Sequence, residues 1–213
     1  MYIPAAFAET RTDELHRLLR AHPLGMLCTQ GPQGLDANHL PFWLDASAGG
    51  QGRLIGHVAR ANPLWQQVGA SQPVLVVFRG AEGYVSPNGY PSKHETHRAV
   101  PTWNYEVVHV HGTLVVHDDE KFVRTAVARL TQVHEAGEPT PWKMGDAPAD
   151  YLAQMLHAIV GIEVQITRLE GKRKLSQNRS AADQAGAAQA VQARGNEALA
   201  AAMRHAASGL PRE

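Results

Sequence analysis

Between Tyr90 and Gly112 the chain reads YPSKHETHRAVPTWNYEVVHVHG, a loop and the start of a strand that carry four histidines, a lysine, hydroxyls, an amide and several rings. Ser92, Lys93, Thr102 and Asn104 can hold a phosphate and a polyol, while Trp103 and Tyr105 can lie against a planar ring. The plainer reading makes Trp103 a core plug and Pro91 and Pro101 turn formers. Metal binding is the competing chemistry, because His109 and His111 lie two apart on one strand face and His39, His57 or His117 could add a third ligand. No helical ligand spacing and no matching carboxylate accompanies them, so hydrogen-bonded strand histidines are expected and a metal is not.

A second chemical stretch is GHVARANPLW, where Arg60, Ala61 and Asn62 fall between a strand and a helix. Backbone N–H groups at a helix start beside an arginine attract anions, and Asn62-Pro63 also makes a simple helix cap. KRKLSQNRS places Lys172, Arg173, Lys174 and Arg179 close together, which by itself reads as a solvated basic face. Cys28 sits in an apolar strand as a small hydrophobe; there is no G-x-S-x-G elbow, phosphate loop or G-x-G-x-x-G turn.

The elements that must position these residues follow from periodicity. TRTDELHRLLRAHP predicts a first helix with Leu15, Leu18 and Leu19 on one face. LGMLCT, LDANHLPFWLD, RLIGHV and PVLVVFRG read as antiparallel strands separated by glycine-rich turns, with a short helix around Leu64, Trp65 and Val68. Residues 106–117 alternate, with Val108, Val110, Leu114 and Val116 on one side and His109, His111, Thr113 and His117 on the other. Helices follow at DDEKFVRTAVARLTQVHEAGE and ADYLAQMLHAIV, and GIEVQITRLEG closes the set as a strand. The result is a mainly β fold, a small antiparallel barrel with peripheral helices, over residues 1–170. Residues 171–213 form a basic segment and an alanine-rich helical tail, which Ser180 caps and Gly195-Asn196 breaks. Its apolar stripe is thin, so it reads as a partner-docking helix or as partly disordered.

With 20 Lys+Arg against 20 Asp+Glu in 213 residues, no long-range field draws the protein to nucleic acid or an anionic membrane. The single cysteine precludes an internal disulfide and fits a reducing, cytoplasmic setting; no segment has the roughly 20 apolar residues of a membrane span.

MYIPAAF, ANHLPFWLD, LIGHVARANPLW, YVSPNGYPSK, VPTWNYEVVHVHG and KLSQNRS, in this order, resemble the PaiB family of FMN-binding negative transcriptional regulators, from the start to about Ser180. The resemblance implies a split β-barrel similar to pyridoxamine 5′-phosphate oxidase, assembled as a homodimer with FMN at the subunit interface. It places Arg60, Ala61 and Asn62 in the segment that grips the FMN phosphate in related proteins, with His57 just before them. His39, Leu40 and Pro41 match the strand bordering the flavin ring, and Ser92 and Lys93 the following loop. Pro101, Thr102, Trp103 and Asn104, with Lys174, Ser176 and Gln177, match the most specific segments. DNA as a partner enters through this resemblance alone, since no helix-turn-helix or basic stripe is visible. A flavin-dependent oxidoreductase using reduced nicotinamide is the alternative, and a flavin- or haem-binding sensor a further one; no catalytic acid or base is assigned.

Overall fold

The computed structural model describes residues 1–68 and 71–208. Strands β1 (Ala8–Glu9), β2 (Leu24–Gly31), β3 (Gly34–Pro41), β4 (Trp43–Asp45), β5 (Arg53–Ala59), β6 (Gln72–Val85), β7 (Thr102–His117) and β8 (Ile159–Lys174) share one sheet. Its order is β3-β2-β6-β7-β8-β5-β4, with β1 added to β8. Helices are α1 (Thr12–Ala21), α2 (Leu64–Gln67), α3 (Pro91–Thr96), α4 (Glu120–Glu135), α5 (Ala149–His157), α6 (Ala181–Ala193) and α7 (Glu197–Ser208). The chain forms two compact units: unit 1 comprises Met1–Leu15, Arg79–Val108 and Glu170–Glu213, and unit 2 comprises His16–Phe78 and His109–Leu169. Strands β6, β7 and β8, at 14, 16 and 16 residues, are long enough to supply both.

Unit 2 is built on alternation. β2 and β3 pair antiparallel from Leu24↔Pro41 to Gly31↔Gly34, and β5 pairs with β8 so that His57 opposes Gly161. Leu27, Leu54, Val76, Val110, Leu114, Val160, Ile162 and Val164 fill the core, each side chain contributing about 1.5–3 kcal/mol by leaving water. Asp119 caps α4 by accepting from Phe122 N at 2.8 Å, and the helix buries Val123, Ala126 and Leu130.

Unit 1 settles the alanine-rich tail differently from the expectation of a docking or partly disordered segment. Ala187, Ala188, Val191, Leu199, Ala200 and Met203 pack with Val85, Tyr90 and Leu175 in a buried cluster. The thin stripe suffices because small residues permit backbone contact: a Cβ on Gly89 would lie 2.9 Å from Ala190 Cβ, and one on Gly186 only 2.4 Å from Gly89 O. Ser180 caps α6 through Asp183 N, and Gly195 (φ 83°) turns the chain so that Asn196 Oδ1 caps α7 at Leu199 N. Beneath these helices Arg173 is buried with carboxylates, its Nε donating to Glu106 at 2.8 Å and its Nη1 reaching Glu9 at 3.5 Å.

Candidate functional site

The expected site residues divide between the units. In unit 1, the end of β8 and the start of β7 bring Lys174, Ser176, Thr102, Trp103 and Asn104 together. Lys174 Nζ donates to Thr102 Oγ1 and, at 2.7 Å, to the Trp103 carbonyl. Asn104 Nδ2 donates to Ser176 Oγ at 2.9 Å, and the Tyr90 hydroxyl stands 3.3 Å from the same oxygen. Gln177 pins the corner after the strand by accepting from Leu175 N at 2.7 Å. Ser176 itself holds φ 70°, a left-handed conformation that costs a non-glycine residue about 1–3 kcal/mol and persists only where its surroundings over-determine it.

Tyr90, Thr102, Asn104, Lys174 and Ser176 line a cavity of about 180 Å³ that Arg179 and Val100 help to close. Two features mark it as more than a packing gap. Among the described residues Lys174 is bonded only to neutral oxygens; burial, with Lys172 nearby, holds its ammonium below the usual lysine range although Tyr105 opposes this. Asn104 is 1 % exposed, yet its Oδ1 has no hydrogen-bond partner among the described residues, an arrangement that normally costs about 1–3 kcal/mol. Arg179 lies over the Tyr90 ring at 5.1 Å. Val100, one of the lining residues, is 68 % exposed, so apolar surface flanks the opening.

Other expected residues of unit 1 have structural partners. Ser92 donates through both N and Oγ to Asp183, tying α3 to α6 at 3.0 and 2.7 Å, and Lys93 donates to Asn88 Oδ1. Pro101 is exposed just before β7.

In unit 2, His39 and Pro41 are exposed and Leu40 half-buried on β3, an edge of the sheet. Pro41 also backs onto β5, where a Cβ on Gly56 would sit 3.1 Å from the Pro41 carbonyl. The adjoining His57 has a buried Nδ1 without a partner, and burial keeps its pKa below the ordinary histidine value. Asn62 donates to Asn38 Oδ1 at 2.7 Å and caps Leu64 N at 2.9 Å, so its side chain is committed to the strand-to-helix joint; Ala61 is exposed. Arg60 is committed too. Its fork meets both Asp118 oxygens, at 3.1 and 2.6 Å, and Nε donates to the His157 carbonyl at 2.7 Å. These bonds hold Asp118 below the usual carboxylate range. Arg60 therefore reaches a phosphate only by giving up Asp118.

A larger cavity of about 680 Å³ in unit 2, walled by Trp43, Ile55, Phe122 and Arg129, contains none of the expected residues. Tyr90 and Arg179, by contrast, belong to the unit 1 cavity without having been assigned to a site from sequence. The spacing of Arg179, five residues after Lys174, was the available signal; the left-handed corner at Ser176 that brings it back was not visible.

A mainly antiparallel sheet with peripheral helices is the architecture of the split-barrel class. Residues 1–168 match the family model described as "Putative FMN-binding domain", and the chain belongs to that family. Among similar proteins, an uncharacterized protein of Aspergillus fumigatus is 33 % identical over 242 residues, covering 92 % of this chain and 93 % of that one. The protease synthase and sporulation protein PAI 2 of Bacillus subtilis is 28 % identical over 86 % of this chain and 85 % of its own. The PaiB resemblance is thus borne out. The fold is shared with the flavocytochrome Anf3 of Azotobacter vinelandii (TM-score 0.60, 16 % identity, 78 % of this chain and 69 % of that). It is shared also with an FAD- and haem-binding protein of Mycobacterium smegmatis (TM-score 0.56, 17 % identity, 78 % and 73 %).

FMN, the family's cofactor, fits the donor set on physical grounds. It brings acceptor oxygens for Lys174 and Arg179, an N–H for Asn104 Oδ1, and a ring face for exposed aromatic surface. Among the described residues no helix is long and apolar enough to cross a membrane.

Proposed function

We propose that this protein is an FMN-binding negative transcriptional regulator that works in the cytoplasm as a homodimer, with the flavin at the subunit interface. The observation that carries the reading is Lys174, a half-buried ammonium that faces a cavity with only neutral oxygens for partners. Thr102, Trp103, Asn104, Ser176 and Gln177 shape that cavity, with Pro101 at its approach. Ser92 and Lys93 hold the wall behind it. His39, Leu40, Pro41, His57, Arg60, Ala61 and Asn62 are proposed as further flavin contacts. Exposed Trp103 and Val100 are apolar surface suited to a subunit contact.

The regulatory output runs through the flavin rather than through a basic surface. Apart from Lys174, the cations from Lys172 to Arg179 are turned to the chain's own groups: Lys172 donates to the Tyr2 carbonyl, Arg173 is buried among glutamates, and Arg179 covers Tyr90. When bound, FMN supplies redox reactivity, and the protein's part is to bind it, orient it and tune it.

The test is the visible absorption spectrum of the protein as purified and during FMN titration, with its mass in solution measured alongside. Saturable flavin binding by a dimer, with promoter binding that follows the flavin's state, is the expected result. Steady oxidation of reduced nicotinamide without any promoter effect would replace the regulator with an oxidoreductase. Absence of flavin binding would overturn both.

A further inference from the structure

We infer that the unit 1 cavity recognises the pyrimidine edge of the flavin ring rather than its phosphate, with Asn104 as the residue that selects the edge and Lys174 as the residue that tunes its redox potential. The inference rests on the flavin-binding reading above and assigns a part of the cofactor to this cavity.

What each polar atom of the cavity still lacks defines the ligand. Lys174 has three donor protons, and two are used, on Thr102 Oγ1 and the Trp103 carbonyl. One remains for an acceptor or an anion. Asn104 uses one of its two amide protons on Ser176 Oγ and keeps a buried carbonyl oxygen, acceptor only, that has no partner among the described residues. The ligand must therefore present a donor next to acceptors. An ionised phosphate offers acceptors only, and its oxygens would face Asn104 Oδ1 with like partial charges. The pyrimidine edge of a flavin is an imide, one N–H between two carbonyl oxygens, and meets both requirements at once.

Size and rigidity agree. At about 180 Å³ the cavity is smaller than the roughly 300–1,000 Å³ of a site that swallows a whole ligand of this kind, so it takes an edge. Its walls are fixed: Ser176 is held left-handed, with its hydroxyl between Asn104 and Tyr90, and Gln177 clamps the following turn. A rigid acceptor and a rigid cation suit a planar edge better than a rotating phosphate. A cation beside the carbonyl and the ring nitrogen at this edge favours electron uptake by the flavin, so Lys174 acts on the potential as well as on affinity.

The experiment compares FMN with riboflavin, which has the same ring and no phosphate, on the full chain and on Lys174→Met and Asn104→Leu, with folding checked by circular dichroism. Both variants should weaken FMN and riboflavin by the same factor, tenfold or more, and the midpoint potential of flavin bound to Lys174→Met should move to more negative values. A loss confined to FMN, or displacement of FMN by millimolar inorganic phosphate in wild type but not in Lys174→Met, would make Lys174 a phosphate contact and overturn the inference. Unchanged affinities and potential would overturn it as well. Should Asn104→Leu not fold, Lys174→Met with the two flavins and the potential measurement decides alone. If wild type binds neither flavin, the failure lies with the flavin-binding reading itself.

Discussion

Two cations of this protein face opposite circumstances. Arg60 in unit 2 has a carboxylate in its fork and two carbonyls on its remaining protons, and its charge is answered within the fold. Lys174 in unit 1 has only a hydroxyl and a carbonyl, and burial already disfavours its charge. A basic residue in a motif becomes a binding group when the fold leaves its charge unanswered, and a strut when it does not. Sequence spacing made Arg60 the more attractive flavin contact; the geometry favours Lys174.

The harshest way to probe this contrast is through the neighbour of Lys174. Arg173 points the other way on β8 into the buried carboxylates, so Arg173→Met leaves Glu106 without its 2.8 Å partner. Chemical denaturation should show a loss of about 3–5 kcal/mol, the cost of an uncompensated buried charge. Lys174→Met removes a cation the fold does not need. Flavin affinity should drop at least tenfold, while the thermal midpoint of the flavin-free protein stays level or rises, because a desolvated charge has been replaced by an apolar chain of similar length.

His57 gives a pH-dependent test in unit 2. Its folded pKa lies below the ordinary value of 6.5, so between the two the unfolded chain binds more protons. The stability it contributes is present above pH 6.5 and is lost as pH falls toward the folded pKa. His57→Gln should flatten the decline in stability measured from pH 7 downward; an unchanged slope would place the titration elsewhere. The smallest effect is expected at Arg60. The Arg60 and Asp118 side chains are 33 % and 46 % exposed, so Arg60→Ala should leave stability nearly unchanged. Its effect on FMN affinity should fall well short of that of Lys174→Met.

Much of this was legible in the sequence, for identifiable reasons. Period-two alternation at Val108, Val110 and Leu114 marked β7, and the leucines of α1 marked a helix, because one buried face imposes its period on the chain. Thr102, Asn104, Lys174 and Ser176 were recognisable as a set through family resemblance, although more than 70 positions separate Thr102 from Lys174. What remained hidden was three-dimensional accounting. Nothing in GHVARANPLW reveals that Asp118 will occupy Arg60, and Ser92 gives no sign that a buried Asp183 will claim both its donors. The tail was misjudged because alanine buries little area by itself; its value here is that it lets helices and the Pro87–Gly89 turn approach to backbone distance.

The central claim is that a flavin binds where the fold leaves Lys174 unanswered. Side-by-side FMN titrations of wild type, Lys174→Met and Arg60→Ala, followed by flavin fluorescence, test it most directly. The account predicts saturable binding by wild type, a tenfold or greater loss in Lys174→Met, and a much smaller change in Arg60→Ala. Full affinity in Lys174→Met together with loss in Arg60→Ala would contradict it and move the flavin contact to the strand-to-helix turn of unit 2.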